Sequence, residues 1–172
     1  VDACRSGELT RTKGARPAQP FEIDADDRLS SEGTAVITSS AAGEDAQESD
    51  RLRGGVFTHH LVAGLLGAAD ASADQRVTLS EAYRYAYQET LRTTSRARFV
   101  QHPTYAFRIR GQQDLVLTRL TAMSGMGRLE LGAAGTYVLL PRSSSGGSVA
   151  ELTAEAGARV MLEPGEYVAR RR

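Results

Sequence analysis

The sequence predicts a mixed α/β domain over residues 1–118, followed by a small β-rich module over residues 119–172. Three observations carry this reading. Helical spacing of apolar residues is confined to two stretches, near 56–70 and from 78 into the early nineties. The β-branched run Thr34–Thr38 and the alternating run Tyr105–Arg110 flank those stretches. Beyond Arg119 there are short strand-like runs separated by Gly and Ser.

Residues 1–34 are polar and loop-like, with Pro17, Pro20 and several carboxylates. Thr34–Thr38 (TAVIT) reads as a buried strand, since it is short, apolar and β-branched. Residues 39–55 are small, charged and bounded by Gly, and read as one long loop of the kind that carries function. In 56–70, Val56, Phe57, Leu61, Val62, Leu65 and Leu66 recur at helical spacing and predict an amphipathic helix. Thr78 and Glu81 form a T-x-x-E capping box, in which two orphan backbone donors at a helix start are satisfied. Leu79, Ala82, Tyr83, Ala86 and Tyr87 supply the apolar face of that helix, which fades in 92–98. Strands are predicted at 105–110, 114–118, 128–131, 136–141, 148–152, 159–162 and 166–170, with RSSSGGS (142–148) as a hairpin-like connection. The last ~50 residues are short for an independent core, so the module is incomplete or leans on its neighbour.

Composition excludes several classes. Lys plus Arg and Asp plus Glu are 21 each, which argues against a dedicated nucleic-acid or membrane-surface binder. Lys13 is the one lysine among the 21 cations, and the arginines are scattered. The single cysteine, Cys4, excludes an internal disulfide and a cysteine-cluster zinc site. No apolar run approaches the ~18–20 residues that span a bilayer. The first residues lack the apolar centre of a signal peptide, so a cytoplasmic location is the expectation. The chain opens on Val1 and directly on a motif, and reads as a piece of a longer protein.

That motif is Asp2-Ala3-Cys4-Arg5-Ser6-Gly7. A cysteine attacks as the thiolate, and needs a histidine or a positive helix end to lower its pKa. A following Gly lets backbone N–H groups turn toward a developing oxyanion. In an extended segment Asp2, two residues before Cys4, would project on the same side and present a carboxylate beside it.

The motif resembles the nucleophile segment of bacterial caspase-like peptidases, in the clan of caspases and metacaspases. The resemblance runs on in order. Thr34–Thr38 with Ser39-Ser40-Ala41 resembles the strand and loop that open the small-subunit half of a caspase. Gly54-Gly55-Val56-Phe57-Thr58 is similar to that family's Gly-rich lead-in to the next helix. Asp70 to Tyr87, Gln101-His102-Pro103-Thr104-Tyr105 and Gly111 to Thr118 resemble its later segments.

The resemblance implies the C-terminal half of a three-layer sandwich, a mostly parallel sheet between helices, with the small all-β module appended. It implies a cysteine-type endopeptidase in which Cys4 forms a thioester and its own N–H helps hold the oxyanion. Asp2 matches the metacaspase acid that lines the S1 pocket and selects Arg or Lys. A desolvated carboxylate suits a guanidinium bidentately. Loop 39–54, with Ser39, Asp45 and Glu48, would complete the cleft. Arg11, Lys13, Arg16 and Arg28 are candidate self-cleavage points. His59, His60 and His102 do not match the family's catalytic histidine, which would come from the upstream half of the same domain, so this chain by itself is expected to be inactive. The partners expected are a peptide or protein substrate and that upstream half, with no nucleic acid and no membrane. The alternative is a non-catalytic caspase-like scaffold whose β module docks a partner.

Asp70, Ser72, Asp74 and Glu81 stand at positions 1, 3, 5 and 12 of a calcium-loop pattern. Position 6, where Gly makes the sharp turn, is Gln75. The competing reading is that Glu81 closes the capping box on Thr78. No cofactor is expected otherwise. His59 and His60 are adjacent on a helix, point ~100° apart and cannot chelate one ion; they read as surface or half-buried residues.

Overall fold

The structure, a computed structural model, describes residues 32–50, 52, 54–97, 99–110, 114–122, 125–142 and 150–172. The expectations for Asp2, Cys4, the basic points Arg11, Lys13, Arg16 and Arg28, and most of the connection 142–148 lie outside the described residues. What is described is a mixed α and β arrangement of two α-helices and several small antiparallel sheets.

Strand β1 (Glu32–Thr38) pairs antiparallel with β5 (Thr104–Arg110), with Val36 opposite Ala106 and Thr38 opposite Thr104. Burial differs from the sequence reading. Thr34 and Ala35 are exposed, Val36 and Ile37 are half-buried, and full burial begins at Thr38. The reason is the surroundings: β5 is the one strand neighbour of β1 among the described residues. Every described strand pair is antiparallel, so the described part has no counterpart of the mostly parallel sheet.

The loop after β1 is more structured than its composition implies. It holds a turn in which Glu44 N–H donates to the Ala41 carbonyl at 3.1 Å, with Gly43 at φ +85°. A positive φ at the third position of such a turn is one that Gly adopts without steric cost. Then β2 (Glu48–Ser49) pairs with β3 (Gly54–Gly55). Helix α1 (Val56–Ala63) follows directly and widens into a π-helical turn at Gly64–Ala68. Its buried face is Val56, Phe57, His60 and Ala63, whereas Val62, expected inward, is exposed. Gly67 has φ +121°, and a Cβ there would lie 2.1 Å from the Arg159 carbonyl oxygen. The helix thus ends with bare backbone against the β module.

After β4 (Arg76–Thr78), α2 (Leu79–Thr94) starts at Thr78 with both halves of the capping box formed. Ala82 and Ala86 are fully buried. β6 (Val116–Arg119) pairs with β4 and begins two residues later than predicted. The reason is that Asp114 and Leu115 cap α2: the Asp114 carboxylate accepts from Ser80 N–H and the Leu115 carbonyl from Leu79 N–H.

In the module, β7 (Gly127–Leu131) pairs with β10 (Ala158–Leu162). β8 (Gly135–Pro141) lies between β9 (Ala150–Ala154) and β11 (Tyr167–Arg171). Along β8 Tyr137 and Leu139 are buried and Val138 between them is not, the two-residue period of a strand. The core is shared across residue 119. One cluster joins Ala63, Leu66 and Tyr85 of the helices to Leu139, Leu152 and Val160; the other joins Val77 and Ala82 to Leu120 and Met161. A polar bridge reinforces the junction. The buried Glu89 carboxylate accepts from Arg92 and from Thr153 Oγ1, and Arg92 also donates to Thr136 Oγ1. Among the described residues no helix is long and apolar enough to cross a membrane.

Candidate functional site

The end of β1 carries three consecutive buried residues, Thr38, Ser39 and Ser40. A polar run this deeply buried needs partners. Thr38 Oγ1 lies 2.7 Å from Thr104 Oγ1 and 3.1 Å from the Ser40 carbonyl. The Ser39 carbonyl accepts from the Gln101 side-chain amide at 2.6 Å. The other atom of the same amide, Gln101 Oε1, accepts from Gln47 N–H at 2.9 Å. Gln101 is 1% exposed and so joins the two ends of the loop Ser39–Gln47 from beneath. The middle of the loop is held by Glu44, whose carboxylate accepts from His102 N–H and faces His102 Nδ1, each at 2.9 Å.

Of the residues expected to line the cleft, Ser39 is buried at the loop's root, while Asp45 and Glu48 are exposed. Ser39 and Asp45 lie on this loop, and Glu48 is the first residue of β2, which follows it. Neither Asp45 nor Glu48 has an ion-pair partner among the described residues. Gln101, Glu44 and Gln47, which give the loop its shape, are not among the sequence candidates. The signal that points to Gln101 is its place in Gln101-His102-Pro103-Thr104-Tyr105, read above for family resemblance alone.

Beside the loop lies an open concavity of about 470 Å³ lined by Tyr83, Tyr87, His102, Pro103, Thr104 and Tyr105. Its wall is an aromatic ladder. The Tyr83 ring centroid is 4.5 Å from that of Tyr105 in an edge-on arrangement, and Tyr105 is 4.6 Å from Phe107. Tyr83 Oη donates to the Pro103 carbonyl at 3.0 Å. Burial, then the neighbouring Tyr87 and Tyr105, push the Tyr83 phenol up to about 12. Burial likewise raises Tyr85, whose hydroxyl oxygen accepts from Thr153 N–H.

The segment Asp70–Glu81 takes the bend that the calcium-loop pattern demands, with Ala73 at φ +57° and Gln75 at φ +67°. Its oxygens serve the backbone. Asp70 accepts from Asp74 N–H and Gln75 N–H, and Asp74 accepts from Arg76 N–H. Glu81 accepts from Ser72 N–H and from Thr78 N–H and Oγ1. Among the described residues no set of three or more His, Cys, Asp or Glu side chains is grouped to hold a metal ion.

The histidine pair needs a correction. His59 is half-buried as expected, but His60 is 1% exposed, in contact through Nε2 with Thr93 Oγ1 at 2.9 Å. Its position on the inward face of α1 overrides its polarity, because α2 supplies the partner. His59 Nε2 meets the Glu151 backbone, so the pair straddles α2 and β9. No protein-family model, no curated protein and no solved structure matches this chain.

Proposed function

We propose that the chain is the C-terminal part of a caspase-like cysteine endopeptidase that cleaves after Arg or Lys. The observation that carries this reading is one of order. The nucleophile motif Asp2-Ala3-Cys4-Arg5-Ser6-Gly7 precedes a strand, a loop rooted in buried serines, two helices and an antiparallel return strand. An antiparallel edge pair such as β1–β5 is compatible with a sheet that is otherwise parallel, as mixed α/β sheets often carry one. Cys4 is the nucleophile. It attacks the scissile carbonyl, the peptide C–N bond breaks, and the amine leaves with a proton from a histidine contributed by the preceding part of the same domain. Water then hydrolyses the thioester and returns the thiol. Asp2 and the loop Ser39–Glu48 select the basic side chain. The resemblance implies an external base, because none of His59, His60 and His102 matches the family's catalytic histidine.

The test is Asp2→Ala in the complete protein. Its kcat/KM for P1-Arg peptides should fall at least about a hundredfold, as expected for loss of a desolvated charge pair. The rate at which a small alkylating agent modifies Cys4 should hold within about twofold. Equal loss in both assays would show Asp2 to be structural.

A further inference from the structure

We propose that Gln101 is a positioning residue for the substrate cleft: its buried amide sets the conformation of the loop Ser39–Gln47 and through it the fit of the substrate. The proposal rests on the peptidase reading for the role of the loop, while the clamp itself rests on geometry. A primary amide offers one donor group and one acceptor, and Gln101 uses both on opposite ends of the loop. Nε2 donates to the Ser39 carbonyl at 2.6 Å and Oε1 accepts from Gln47 N–H at 2.9 Å. No other side chain of that size offers this polarity in that order.

The clamp is anchored in turn. Gln101 N–H donates to Thr94 Oγ1 at 3.1 Å, and Thr94 Oγ1 donates to the Thr90 carbonyl at 2.8 Å. Thr90, Thr94 and Gln101 are all essentially excluded from solvent. The last turn of α2 therefore fixes the height of Gln101, and Gln101 fixes the loop. Two neighbouring contacts act in the same sense. Gln47 Nε2 donates to the Phe99 carbonyl, and the Glu44 carboxylate holds His102. Segment 99–102 is thus a template on which the loop is moulded. Beyond that template the loop presents Asp45, and the start of β2 presents Glu48, to solvent, where a basic peptide would be met.

Two near-isosteric variants test this. Gln101→Glu keeps the bond to Gln47 and turns an oxygen on the Ser39 carbonyl; Gln101→Met keeps the volume and loses both bonds. In each, hydrogen exchange at the amides of Ala41–Glu48 should rise about ten- to a hundredfold, while α2 amides at Ala82–Ala86 change less than about twofold. In the complete protein, KM for a P1-Arg peptide should rise about tenfold with kcat and Cys4 alkylation within about twofold. Gln101→Asn, which retains both polar atoms on a shorter stem, should restore part of the KM. Unchanged loop exchange in both variants overturns the clamp. Raised loop exchange with unchanged KM overturns its role in specificity. Absence of turnover in the wild type overturns the peptidase reading alone, and the clamp is then judged by exchange.

Discussion

Replacing Gly67 by Ala probes the junction between the helices and the β module. The new methyl would sit 2.1 Å from the Arg159 carbonyl oxygen, whereas ordinary contact begins at 3.4 Å, so β10 or the π-helical turn must move by well over 1 Å. Carbonyl oxygen is backbone and cannot swing aside as a side chain does. The residue also stands at φ +121°, a region in which a Cβ is strained. Overpacking of ~1–3 kcal/mol and backbone strain of similar size combine to ~2–6 kcal/mol. At ~2–4 °C per kcal/mol for a chain of this length, Tm should fall by roughly 4–24 °C. Gly43→Ala is the control, because it has φ +85° but nothing within 4 Å of its Cβ. It should cost ~1–2 kcal/mol and only a few degrees. Thermal unfolding followed by circular dichroism measures both. Equal shifts for the two variants would refute the close approach of β10 to the end of α1.

Two further outcomes are expected. The Tyr83 phenol is raised to about 12, so its neutral form contributes stability that is complete below pH ~10 and is lost as pH climbs toward 12. Tm against pH should therefore fall less steeply above pH ~10 in Tyr83→Phe than in the wild type, the remaining slope coming from Tyr85; parallel curves would remove Tyr83 from the account. Gln75→Gly relieves a left-handed residue at φ +67° at the cost of a looser unfolded chain, for a net gain of up to ~1 kcal/mol. Because Glu81 is engaged by the Thr78 cap, calorimetry of this variant with millimolar calcium should show no binding heat. A heat that Glu81→Gln abolishes would make the segment an ion-binding loop instead.

What could be read in advance was local. The start of α2 is legible because Thr78 and Glu81 carry the whole capping signal within four residues. The strands of the module are legible as short strand-like runs set off by Gly- and Ser-containing segments, and their observed limits lie within two residues of the predicted ones. Contacts made across long separations were not legible. His60 is buried because Thr93 of another helix receives it. Gln101 matters because Ser39 and Gln47, more than fifty residues away, meet on its amide. The close approach at the end of the helix was not legible either, since at Gly67 backbone meets the carbonyl of Arg159, more than ninety residues away. The core spanning residue 119 was likewise outside any local pattern, since it joins Val77 to Met161.

The central claim is that Cys4 is the nucleophile of an endopeptidase selecting basic P1 residues. The direct measurement is turnover of matched P1-Arg, P1-Lys and P1-Asp peptides by the complete protein and by its Cys4→Ala variant. Cleavage of the Arg and Lys peptides, none of the Asp peptide, and loss of all turnover in Cys4→Ala are expected. Turnover that survives Cys4→Ala, or a preference for P1-Asp, would contradict the claim.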